Sequence, residues 1–165
     1  FIEGGALGVE NALKAAFDWK VRRNKAKGIP GEKGTQVLHF REAFHGRTGY
    51  TLSLTNTDPV KTDYFPRFKW PRVENPKLRF PVTPAVEEDV VAAEQRSLAQ
   101  IEKAFAENPD DIAAIIIEPI QAEGGDNHFR PEFLRAVQGA ARRHDCFFVV
   151  DEVQTGVGLT GRMWG

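Results

Sequence analysis

The chain has 165 residues, 41% of them hydrophobic and 27% charged, a composition ordinary for a globular domain or a piece of a larger one. Lys and Arg total 22 against 23 Asp and Glu, a balance with no net grip on a phosphate backbone, which argues against nucleic-acid binding. The single cysteine, Cys146, excludes an intrachain disulfide and fits a reducing, cytoplasmic setting, and no apolar run approaches the ~20 residues of a membrane span.

The first residues, Phe1-Ile2-Glu3, read as the end of a strand rather than a signal peptide, with Gly4-Gly5 breaking it. From Leu7 the spacing turns helical. Leu7, Val9, Ala12, Leu13, Ala16, Phe17 and Val21 form an apolar stripe, with Lys14, Asp18, Lys20 and Arg22 outside it, and Gly28 to Gly31 ends the helix. Gln36 to Phe40 is a short strand, followed by a loop with Phe44-His45-Gly46 and a weaker helical segment from about Arg47 to Leu54. The next stretch carries Pro59, Pro66, Pro71, Pro76, Pro81 and Pro84 and reads as irregular. Val86 to Glu107 is a strong helix, Ile112 to Ile117 a continuous apolar strand, and Pro131 to His144 an amphipathic helix with proline in its first turn. Phe147 to Val150 reads as a second buried strand. Strands alternating with helices, two of the strands uniformly apolar, predict an α/β fold: a mainly parallel sheet with flanking helices. The chain starts at Phe1 and stops at Trp164-Gly165, which reads as part of a longer protein.

The unusual polar residues fall where strands hand over to loops. In open parallel sheets ligands bind at the carboxyl ends of the strands. Gly4-Gly5-Ala6 before a helix offers free N–H groups to one phosphate, or is simply a tight turn. A dinucleotide fingerprint would need a different glycine spacing and an acid ending the next strand, where Arg41 stands. Phe44 could stack on a flat ligand or fill core. Glu118 ends a buried strand, where a carboxylate needs a partner, and Glu123 follows in a loop with Gly124-Gly125. Asp151 ends the last strand. It could be a solvated carboxylate, a magnesium ligand or the partner of a pyridinium nitrogen. The magnesium role requires an upstream GxxxxGK[ST] loop, which is absent; the pyridinium role would keep a cofactor ring protonated as an electron sink. The four histidines show no metal-ligand spacing and there is no CxxC, so no metal is expected.

Together the segments GGALGVENALK, FHG, EPIQAEGG and DEVQTG resemble, in order, the motifs of the class III (ω-) aminotransferases, pyridoxal-phosphate (PLP) enzymes of fold type I. The similarity runs along the whole chain, which would then be part of the large domain. Segments such as EGGALGVENALKAAFDWK and GGDNHFRPEFLRA are most similar to the branch that moves the ε-amino group of lysine to 2-oxoglutarate, rather than to the ornithine or acetylornithine branches; the alternative within the family is another ω-aminotransferase, acting on ornithine, acetylornithine or 4-aminobutyrate. The resemblance implies PLP phosphate binding by Gly5 and Ala6, ring stacking by Phe44 and a ring-nitrogen contact at Asp151. It also implies a phenolic-oxygen contact at Gln154, supporting roles for His45 and Glu118, and a gate at Glu123 that pairs with an arginine beyond the chain. A homodimer is implied too. Ala6-Leu7-Gly8 and Ala122 depart from the family pattern, the first by lacking a hydroxyl for the phosphate. The Schiff-base lysine, the preceding N-terminal segment and the C-terminal domain are expected outside residues 1–165, leaving the isolated chain without its covalent anchor. The readings from other classes are a nucleotide-binding NTPase, which lacks its phosphate loop, and a non-catalytic structural piece.

Overall fold

The computed structural model describes residues 2–165. Helix α1 spans Gly5–Ala26. Its buried positions Val9, Leu13, Ala16, Lys20 and Asn24 recur at three- and four-residue intervals, so one stripe faces the sheet. Lys20 was expected on the outer face. It is instead 2% exposed, because its aliphatic stem continues the stripe while Nζ donates to the carbonyls of His144 (3.3 Å) and Asp145 (2.7 Å). The helix ends where Gly28 takes a φ of 74° and Ile29 N–H returns to Asn24 O at 3.0 Å, a left-handed closure that favours glycine.

Strand β1 (Gln36–Phe40) is followed by a single helical turn, α2 (Thr51–Leu54). The helical spacing expected from Arg47 is thus confined to its second half. Glu10 of α1 fixes the start of that turn, Oε1 accepting from Thr48 Oγ1 and from the Tyr50 and Thr51 N–H groups. The proline-rich stretch holds a 3-10 turn at Pro59–Lys61 and a two-residue strand, β2 (Arg72–Val73). Helix α3 (Pro84–Glu107) starts on Thr83, whose hydroxyl accepts from Val86 N–H at 3.3 Å. Strand β3 (Ile112–Ile117), the small antiparallel pair β4 (Ile120–Gln121) and β5 (Asn127–His128), helix α4 (Pro131–Arg143) and strand β6 (Phe147–Val150) complete the order.

The main sheet runs β2-β1-β3-β6, all parallel. One face carries Leu38, Phe40, Ile115 and Ile117 against Ile101 and Phe105 of α3 and Phe133 and Val137 of α4. The other carries Val37, Ala114 and Ile116 against Val9 and Leu13 of α1. The alternation slips at Ala113, because the register jumps from Gln36↔Ile112 to Val37↔Ala114 and leaves one extra residue in β3. β3 is central and wholly buried, as its apolar run predicts. β6 departs from expectation. Among the described residues it pairs with β3 alone, and Phe147 and Val150 are each 42% exposed, so its apolar run marks an open edge rather than a second buried strand. Ile2 and Glu3 form no strand, and Phe1 lies outside the described residues.

Candidate active site

Because the main strands are parallel, their carboxyl ends share one edge, and the loops leaving β1, β3 and β6 meet there with the N-terminus of α1. A cavity of about 290 Å³ lies between them, lined by Gly5, Ala6, Phe44, His45, Gly46, Arg47, Glu118, Asp151, Val153 and Gln154. All seven residues expected from the sequence to hold a cofactor are in that lining.

Gly5 opens α1, and no side chain caps the helix. The N–H groups of its first turn therefore lack intrahelical acceptors and present partial positive charge to the cavity. Gly46 packs against this corner with φ 111°; a Cβ there would fall 2.5 Å from Ala6 Cβ, so glycine is required by space and conformation alike.

Asp151 follows β6 directly, its N–H still bonded to Ile117 O at 2.8 Å. That bond fixes the backbone from which the carboxylate projects. Oδ2 meets His45 Nδ1 at 2.7 Å and Oδ1 accepts from Val153 N–H at 3.1 Å. His45 is buried and held in turn through its N–H to Thr55 Oγ1. Its other ring nitrogen, Nε2, has no hydrogen-bond partner among the described residues. Glu118, directly after β3, finds its partner in Phe44, whose N–H donates to Oε1 at 2.9 Å. Burial pushes the Glu118 carboxyl up to about 7, with His45 and the Phe44 N–H opposing and Asp151 and Glu123 reinforcing the shift.

Glu123 stands apart. It sits in the loop between β4 and β5, outside the lining, and its carboxylate is bound by Lys61. The Lys61 ammonium also lies 5.4 Å from the centroid of the Phe44 ring. Neither Lys61 nor Val153 was picked out from the sequence. Val153 had a local signal, two residues beyond the strand-ending Asp151. Lys61 had none, being 62 residues from its partner. Among the described residues no lysine lines the cavity. Among the described residues no group of three or more His, Cys, Asp or Glu side chains comes together to hold a metal.

The family model of aminotransferase class III matches residues 1–165. The chain belongs to the class III aminotransferases. It is 57% identical to the L-lysine-epsilon aminotransferase of Mycobacterium tuberculosis over 165 residues, 99% of this chain and 36% of that protein. It is 45% identical to the 4-aminobutyrate aminotransferase of Schizosaccharomyces pombe, over 93% of this chain and 33% of that one. The solved lysine aminotransferase from M. tuberculosis in the internal aldimine form superposes with a TM-score of 0.94 at 55% identity, covering 99% of this chain and 37% of that chain. The class III chain described here thus spans about a third of the length of the relatives it matches, and its mainly parallel sheet with flanking helices is part of their fold.

Proposed function

We propose that the protein containing these residues is a PLP-dependent aminotransferase that moves the ε-amino group of L-lysine to 2-oxoglutarate. The observation that carries the reading is the single cavity that gathers an uncapped helix N-terminus, an aromatic ring and a buried carboxylate. These match, one for one, the phosphate, the ring face and the ring nitrogen of PLP. The cofactor, once bound, supplies the electron sink that makes amine transfer possible. The remaining work falls to the chain. The first-turn N–H groups at Gly5 and Ala6 take the phosphate. Phe44 packs on the ring, and Gln154 is the amide within reach of its phenolic oxygen. Asp151 keeps the ring nitrogen protonated, and His45 holds Asp151 in place. The Schiff-base lysine comes from outside residues 1–165, as no lysine among the described residues lines the cavity.

Lysine is favoured over 4-aminobutyrate as donor by the higher identity to the lysine enzymes, 57% against 45%. A homodimeric, cytoplasmic enzyme fits the same reading; no helix among the described residues is long and apolar enough to cross a membrane. The test is to record the absorbance of the full-length protein with PLP. Lysine should convert the aldehyde form of the cofactor to its amine form and 2-oxoglutarate should restore it. Conversion by 4-aminobutyrate but not by lysine would move the assignment to the neighbouring branch, and no conversion by any ω-amine would overturn it.

A further inference from the structure

The cavity holds two buried carboxyl groups, and their surroundings are unequal. Asp151 is 7% exposed and Glu118 3%. Two carboxylates lining one cavity repel each other, and burial penalises whichever charge has the fewer partners. Asp151 has donors on both oxygens, His45 Nδ1 at 2.7 Å and the Val153 N–H at 3.1 Å. Glu118 has one, the Phe44 N–H on Oε1 at 2.9 Å, and no hydrogen bond reaches Oε2 among the described residues. Arg47 also lines the cavity, and among the described residues no hydrogen bond or ion pair joins it to either carboxyl. The energetic penalty of a second negative charge therefore falls on Glu118.

Resting on the PLP reading above, we propose that Glu118 serves the cavity as its neutral acid, donating an O–H to an acceptor oxygen of bound PLP while Asp151 carries the negative charge. Since Oε1 accepts from Phe44 N–H, the proton sits on Oε2. The displacement of the Glu118 carboxyl to about 7 by burial, reinforced by Asp151 and Glu123, agrees with that division of roles. It also gives PLP binding a pH dependence. The bound form needs the acid, so affinity falls as pH rises through the titration of the free protein.

The test uses the full-length protein stripped of cofactor and retitrated with PLP across neutral pH, beside Glu118→Gln and Glu118→Ala. Glutamine keeps a donor that cannot titrate. The original protein should lose affinity above about pH 7 at a limiting slope of about tenfold per pH unit. Glu118→Gln should lack that component and bind within about threefold of the original protein on the acid side, with Glu118→Ala weaker by about tenfold. Equal pH slopes in the original protein and the glutamine variant would overturn the proposal, as would a glutamine variant as weak as the alanine one. An infrared difference spectrum of the cofactor-free protein against Glu118→Gln at neutral pH supplies a readout independent of PLP. A carboxylic-acid carbonyl band lost in the variant supports the neutral acid, and its absence refutes it. Failure of the original protein to bind PLP at all would instead strike the cofactor reading, while the infrared result would still decide the state of Glu118.

Discussion

Gln121 in β4 is fully buried beneath the hairpin that carries Glu123, and replacing it with leucine isolates what its amide does. Nε2 donates to Arg41 O at 2.8 Å, and Oε1 accepts from Asn75 at 2.9 Å and Asn127 at 3.1 Å. After Gln121→Leu the two asparagines keep a partner, because both also donate to Glu42 Oε2, and Asn127 to Gly124 O as well. The Arg41 carbonyl keeps none among the described residues. Three net hydrogen bonds amount to ~3 kcal/mol, the bare carbonyl adds ~1–3, and burying leucine returns ~2, leaving a loss of ~2–4 kcal/mol. Lys77→Gln removes the exposed Lys77–Glu42 ion pair at the rim of the same network and should cost no more than ~1 kcal/mol. Urea unfolding of the full-length variants measures both. A Gln121→Leu loss below that of Lys77→Gln would refute the claim that the buried amide network, rather than its charged rim, pins the hairpin to β1.

Asp151→Asn should leave the fold in place, since the residue's backbone bond to Ile117 is untouched, and should abolish most turnover even at saturating PLP; near-normal kcat would remove Asp151 from the ring-nitrogen role. Glu123→Ala, by removing the carboxylate expected to pair with an arginine beyond the chain when lysine binds, should impair the lysine half-reaction far more than the 2-oxoglutarate half-reaction in single-turnover experiments; equal losses would make Glu123 merely structural. On the acid side, Asp145 is held down to about 2, first by the Arg23 hydrogen bond and then by Lys27. Its contribution is present above the unfolded carboxylate range, near pH ~4, and is lost as pH falls toward 2. With screening of this partly exposed cluster the contribution is ~1 kcal/mol, so Asp145→Asn should flatten the acid limb of a stability–pH curve by that amount.

The elements legible from sequence were those whose burial is local. The run Ile112 to Ile117 names the central strand, and the stripe of α4 names its inner face, because each needs only neighbouring residues to declare itself. β2 was illegible. Two residues inside a proline-rich stretch acquire strand character only from the neighbouring β1 segment, whose His39 and Arg41 N–H groups donate to Pro71 O and Val73 O. The burial of Lys20 was equally hidden, since its acceptors lie more than 120 residues away. β6 misled in the opposite sense: an apolar run reports affinity for cover, not whether cover is present. At the site, strand-end positions located Glu118, Asp151 and the Phe44 loop. The partners that hydrogen-bond them, Phe44 N–H for one carboxyl and His45 for the other, arise only when parallel strands bring distant loops to one edge.

The open side of β6 has a practical consequence. Its four residues, Phe147–Val150, carry no charge, no proline and no bulge, and among the described residues no strand pairs with their outer side. Natural edge strands are usually blunted by one of those devices. A polypeptide limited to residues 1–165 would offer this strand as a template for the same strand of its neighbour, so excising the segment for study invites polymerisation. A lysine placed at the exposed Val150 is the simplest gatekeeper, and its effect on light scattering would report how much of that tendency originates at this edge.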